Sequence, residues 1–139
     1  MTKTILIVED NALNMRLFRD ILQASGYCTL ESCDGTDVLA LAEKHRPDLI
    51  LMDIRLPKIS GLDITKELKR SSSLRHIPVL AVTASAIKGD RERLLEGGCD
   101  GFIAKPIVLP SFLAKIDELL LAHKEEARNA DAPDMAGAS

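Results

Sequence analysis

Aromatic side chains are scarce in this chain of 139 residues: there is no tryptophan, one tyrosine and three phenylalanines. Such a chain has few rings on which to stack bases. Nor is there an excess of basic charge, since the formal net charge is −3, and a nucleic-acid surface is normally basic. No apolar run approaches the ~20 residues that span a bilayer, and the N-terminus "MTKTILIVED" meets an acidic pair too early for a signal peptide. The expected location is the cytoplasm. Three cysteines, Cys28, Cys33 and Cys99, give an odd count with no C-x-x-C spacing, which favours free thiols acting as small core residues over a disulfide frame or a zinc site. His45, His76 and His123 sit among polar residues without ligand spacing and are expected on the surface.

What the chain does have is alternation. "TILIV" (4–8), "LILMD" (49–53) and "VLAVTA" (79–84) are continuous apolar runs of the kind that forms strands buried on both faces. "YCTLESC" (27–33) alternates weakly and suits a more exposed strand, and "GFIAK" (101–105) a short last one. Between them lie helical patterns. Leu13, Leu17 and Ile21 recur four apart with Phe18 and Leu22 beside them, predicting one helix face from Ala12 to Ser25 that stops at Gly26. "DGTDVLALAEKH" (34–45) is expected as a second helix ended by Pro47, and "GLDITKELKR" (61–70) as a third, followed by a polar loop. "KGDRERLLEGG" (88–98) reads as a helix closed by glycines, and Phe112, Ile116, Leu119 and Leu120 mark a last helix with Pro110 in its first turn.

Five strand–helix alternations predict a doubly wound α/β domain, a five-stranded parallel sheet with helices on both faces. No internal repeat interrupts it. Residues 1–124 are expected to form this one domain. The segment 125–139, ending "NADAPDMAGAS", is expected to be a disordered tail because it cannot bury enough apolar area to offset its ordering entropy.

Strands of a parallel sheet all end at one edge, where ligands of such folds bind. Here the strand ends carry Glu9 and Asp10, Asp53, Thr83 and Lys105. Each taken alone is an ordinary loop residue or helix cap, but five polar groups at matching ends of four apolar strands point to a site. Converging carboxylates repel and raise one another's pKa unless a cation joins them, and hard oxygen ligands with room for water suit Mg²⁺. Asp53, central and reached from a buried strand, is the candidate nucleophile for a phosphoryl group. Lys105 and the Thr83 hydroxyl would then hold phosphoryl oxygens.

The set "VED" (8–10), "MD" with "LP" and "SG" (52–61), "VTA" (82–84) and "KP" (105–106) resembles the receiver domain of two-component response regulators over roughly residues 3 to 122. The resemblance implies a flavodoxin-like fold with strand order 2-1-3-4-5 and five helices. It implies a phosphorelay in which a histidine kinase or phosphotransfer protein phosphorylates Asp53. Asp10, Asp53 and the Arg55 carbonyl would ligate Mg²⁺, with Glu9 acting through water. Thr83 and Phe102 would be a switch pair, and the Lys105–Pro106 peptide would be cis. Arg55 and Ser85, two residues beyond Asp53 and Thr83, are expected to flank an attacking water and so to set the phosphate's lifetime.

Longer stretches, among them "LILMDIRLPKISGLDITKELK" and "IKGDRERLLEGGCDGFIAKPI", resemble a branch of that family made of single-domain regulators of cell division and polarity in alphaproteobacteria. This likeness implies histidine kinases or phosphatases of two types and a pseudokinase as partners, with recruitment to a cell pole. It implies action through protein–protein contact as a monomer or weak dimer, not as an enzyme. The enzyme alternative is an aspartyl-phosphate hydrolase of the haloacid-dehalogenase type, but that family carries a second Asp two residues after its nucleophile, where this chain has Arg55. A flavin or nucleotide carrier on the same fold would want a glycine- or hydroxyl-rich phosphate loop after the first strand, where "EDNALN" is anionic.

Overall fold

Buried apolar strands dictate the centre of the molecule. In the computed structural model, which describes residues 2–56, 58–84 and 88–122, they are β1 (Thr4–Val8), β2 (Cys28–Ser32), β3 (Leu49–Asp53), β4 (Val79–Thr83) and β5 (Gly101–Ala104). They pair in parallel in the order β2-β1-β3-β4-β5. The helices are α1 (Ala12–Ala24), α2 (Val38–His45), α3 (Gly61–Arg70), α4 (Lys88–Glu96) and α5 over 109–122. This is the doubly wound sheet with five helices that the alternation predicts.

Side chains alternate across a strand, so the sheet builds two cores. Leu6, Val8, Ile50, Met52, Val79 and Ala81 face α2, α3 and α4. Ile5, Ile7, Leu49, Leu51, Leu80 and Val82 face α1 and α5, where Phe18 and Phe112 meet with ring centroids 5.5 Å apart. Phe112, Ile116, Leu119 and Leu120 are buried as their spacing predicts.

Three sequence expectations are corrected. On α1 the buried residues are Met15, Phe18 and Leu22, while Leu13 and Leu17 are 79% and 49% exposed. At about 100° per residue, a ridge of residues four apart winds round the helix, and Leu13 ends about half a turn from Leu22. Helix α2 begins at Val38 and not at Asp34. Asp34 accepts from the Thr36 backbone and hydroxyl, and the Ser32 hydroxyl donates to Asp37 and accepts from the Gly35 N–H, so local side-chain bonds divert 34–37 into a turn. Cys28 and Cys33 are free but exposed, because Cys28 opens an edge strand and Cys33 follows its end. Only Cys99 is the expected core thiol, and burial, above all, pushes its pKa up to about 11.

Helix termini follow their chemistry. Asn11 caps α1 by accepting from the Asn14 N–H, and Ser60 caps α3 by accepting from the Leu62 N–H. Gly26, at φ +94°, ends α1, with the Tyr27 N–H reaching back to the Leu22 carbonyl. His45 and His76 are exposed, as expected. His123, Ser85 and the segment 125–139 lie outside the described residues.

Candidate functional site

Register brings the acids together. Strands β1 and β3 are neighbours with Val8 opposite Met52, so the next residues, Glu9 and Asp53, emerge side by side. Chain connections leave β1 and β3 toward opposite edges of the sheet, which opens the crevice where this fold takes ligands. Carboxylate oxygens of Glu9, Asp10 and Asp53 lie within 4.8 Å of one another. Glu9 and Asp53 are only 2% and 5% exposed, and Asp10 is open to solvent.

Lys105 arrives from β5. Its N–H donates to the Thr83 carbonyl at 2.8 Å, and the Lys105–Pro106 peptide is cis. Its ammonium lies 3.7 Å from Glu9 Oε2 and 3.8 Å from Asp53 Oδ2. The other oxygens are held by the backbone: Asn11 N–H donates to Glu9 Oε1 at 3.2 Å, and Arg55 N–H to Asp53 Oδ1 at 3.0 Å. Thr83 stands at the end of β4, beyond the Asp53–Val82 pairing. Glu9, Asp10, Asp53, Lys105 and the Arg55 backbone therefore converge, with Thr83 at the neighbouring strand end, while Ser85 is not among the described residues. Phe102 lies further back, on β5 opposite Ala81.

Electrostatics bear on a cation. Burial, and then the charge of Asp53, push the Glu9 carboxyl up to about 7. Glu9 Oε2 is buried without a hydrogen-bond partner, although such atoms are normally satisfied. An oxygen-only cluster with one orphaned buried oxygen and one solvated member fits a hard divalent ion that keeps some of its water.

Some supports were not legible in the sequence. A Cβ on Gly61 would sit 2.2 Å from the Asp53 carbonyl oxygen and 2.9 Å from Ile54 Cα. Glycine thus lets the start of α3 close on the strand end that carries Asp53, and the Gly61 N–H donates to the Ile54 carbonyl. Gly35, at φ +85°, is pressed on Leu56 and Ile64, and Lys58 pairs with Asp34 at 3.4 Å. Both contacts brace the loop after β3 against the β2–α2 turn. The "SG" at 60–61 was the one available signal.

Comparison with known proteins gives the class. The family model of the response regulator receiver domain matches residues 5–117, and the chain belongs to that family. More particularly, it is 58% identical over 120 residues, 86% of this chain and 98% of the relative, to the polar-differentiation response regulator DivK of Brucella ovis. Among solved structures, the receiver domain of the sensor histidine kinase PA1611 from Pseudomonas aeruginosa aligns with a TM-score of 0.79 and 34% identity, over 86% of this chain and 98% of that one. That structure has a magnesium ion coordinated in its active-site cleft. A CheY-like receiver protein from Methanospirillum hungatei aligns with a TM-score of 0.83 and 28% identity, over 91% and 99%. Nothing in these likenesses points to a haloacid-dehalogenase hydrolase. Among the described residues no helix is long and apolar enough to cross a membrane.

Proposed function

We propose that Asp53 accepts a phosphoryl group from a histidine kinase and that the phosphorylated chain signals by binding other proteins in the control of cell division and polarity. The observation that carries this reading is the buried Asp53 carboxylate, flanked by Glu9, Asp10 and the Lys105 ammonium at one end of the sheet. In the transfer, an Asp53 carboxylate oxygen attacks phosphorus while the bond from phosphorus to the donor's imidazole nitrogen breaks, and the acyl phosphate remains on Asp53. Asp10, Asp53 and the Arg55 carbonyl would hold Mg²⁺, with Glu9 acting through water. The ion supplies charge neutralisation for the phosphoryl oxygens.

The Lys105 ammonium and Thr83 hydroxyl then bond the new oxygens, each such bond contributing roughly 1.5–3 kcal/mol. Reversing a 1:99 population takes about 5.5 kcal/mol, so two differential bonds of this kind suffice to drive most of a switch. Thr83 moving toward the phosphate would leave space for Phe102 to turn inward. Attack of water on phosphorus would break its bond to the Asp53 oxygen, releasing inorganic phosphate and restoring the carboxylate, at a rate set by Arg55 and Ser85. The likeness to DivK implies partners of the DivJ and PleC kinase type and the DivL pseudokinase type, cytoplasmic residence and recruitment to a pole.

The test is incubation with acetyl phosphate and Mg²⁺, read by acyl-phosphate formation. Wild type should label transiently, Asp53→Asn should not, and Asp10→Ala should need more Mg²⁺. Labelling of Asp53→Asn at the wild-type rate would reject the assignment. A chain cut after Lys124 should label like the full chain, as the domain boundary at 124 requires.

A further inference from the structure

Of the three phenylalanines in this chain, Phe18 and Phe112 are locked together in the α1–α5 core, and Phe102 stands apart, half-buried on the other face of β5. The register sets Phe102 opposite Ala81 and Ala104 opposite Thr83. Side chains two apart on a strand share a face, so Phe102 and Thr83 occupy the same side of the sheet, diagonal to one another. Their direct cross-strand partners are alanines, which leave room between them.

Phe102 packs on one side against the core covered by α2, α3 and α4, and lines an open surface cleft with Pro106, Val108, Ser111 and Lys115. From α4, the Arg91 guanidinium carbon lies 5.2 Å from the ring centroid, within the range of a cation–π contact. A phenylalanine has no hydroxyl with which to hydrogen-bond water or a partner at the surface. Its negative face is the one polar feature that can hold it there, and Arg91 occupies that face. A ring turned toward Thr83 would give up the cation.

We propose that Arg91 is a positioning residue that holds Phe102 in the outer position and so sets the resting level of the switch. The proposal rests on reading Thr83 and Phe102 as the switch pair. An exposed cation–π contact of about 0.5–1 kcal/mol corresponds to a two- to fivefold bias in population. Linkage then requires that removing the contact raise the affinity for whatever favours the inner position, by up to the same factor.

The test uses the full chain labelled with ¹³C in the phenylalanine rings, whose three resonances can be assigned with Phe102→Leu. Wild type titrated with beryllofluoride and Mg²⁺ defines the line joining the two end states of Phe102. Arg91→Gln should move the resting Phe102 signal along that line by a two- to fivefold change in population, and should raise beryllofluoride affinity up to fivefold. Arg91→Lys, which keeps a cation, should stay near wild type. Unchanged Phe18 and Phe112 signals show that the core is intact. If Arg91→Gln matches wild type in both readouts while the wild-type ring moves with beryllofluoride, the latch is wrong and the switch pair stands. If the wild-type ring does not move at all, the switch reading fails and takes the latch with it.

Discussion

Lys105 stands between Glu9 and Asp53 at 3.7 and 3.8 Å, close enough to pair with both buried carboxylates and too far to hydrogen-bond either. The ammonium is therefore balanced between two anions and its donors remain available to a third. A phosphoryl group on Asp53 would be that third anion. Lys105→Met should slow labelling by acetyl phosphate about ten- to a hundredfold, the equivalent of one charge-assisted hydrogen bond. Lys105→Arg, which keeps the charge in another shape, should fall between. Labelling of Lys105→Met at the wild-type rate would set the ammonium aside.

Gly61 offers a test of how the scaffold holds the acceptor. A Cβ there would lie 2.2 Å from the carbonyl oxygen of Asp53 itself, and backbone cannot swing aside as a side chain can. Gly61→Ala should cost about 1–3 kcal/mol of stability, as overpacking does, read from the urea midpoint, and should slow labelling of Asp53. Gly97→Ala is the control. Its Cβ would meet the end of the Leu62 side chain at 2.2 Å, which can rotate away, so the loss should be smaller. Equal losses would show that α3 is not seated on the strand end as described.

The first helix separates what spacing can reveal from what it cannot. Leu13→Lys and Leu17→Lys should each change stability by no more than about 0.5 kcal/mol, as exposed substitutions do. Phe18→Ala should cost about 3–5 kcal/mol. Thermal unfolding of the three variants decides it, and a large loss from Leu13→Lys would mean that this leucine packs.

Strands were legible because an apolar run such as "LILMD" is too short for a buried helix and suits a parallel strand covered on both faces, and α3 because a capping serine and a polar loop bound it. The strand-end rule then puts Glu9, Asp10, Asp53, Thr83 and Lys105 on one edge. Helix azimuth was not legible, since on a short helix leucines four apart and the 15–18–22 stripe fit nearly the same period. Nor was the start of α2, where hydrogen bonds from Ser32 and Asp34 override the pattern. Contacts between distant elements, such as Gly61 on Asp53 or Arg91 on Phe102, exist only once the chain has folded.

Tyr27 reports on the side of the molecule away from the acids. It is the one tyrosine in the chain, and its hydroxyl donates to Asp117 Oδ1 at 2.5 Å, tying the start of β2 to α5. Burial, then the hydrogen bond to Asp117 and that residue's charge, push the phenol up to about 12, against about 10 in an unfolded chain. A group whose folded pKa is raised gives stability that is whole below its unfolded value and is lost as pH rises through the folded one. Tyr27 should therefore support the fold fully below pH about 10, and that support should decay between about 10 and 12. Phenolate absorbance reads this residue alone, and its midpoint should lie near 12 in wild type. Asp117→Asn should lower the midpoint by removing the charge, while burial keeps it above the unfolded value. Other groups titrate in the same range, so the stability effect is taken as the difference between wild type and Tyr27→Phe across that range. A midpoint that Asp117→Asn leaves unchanged would show that the bond to Asp117 does not form in solution, and a wild-type midpoint near 10, or a difference that does not vary with pH, would show that neither the burial nor the bond holds there.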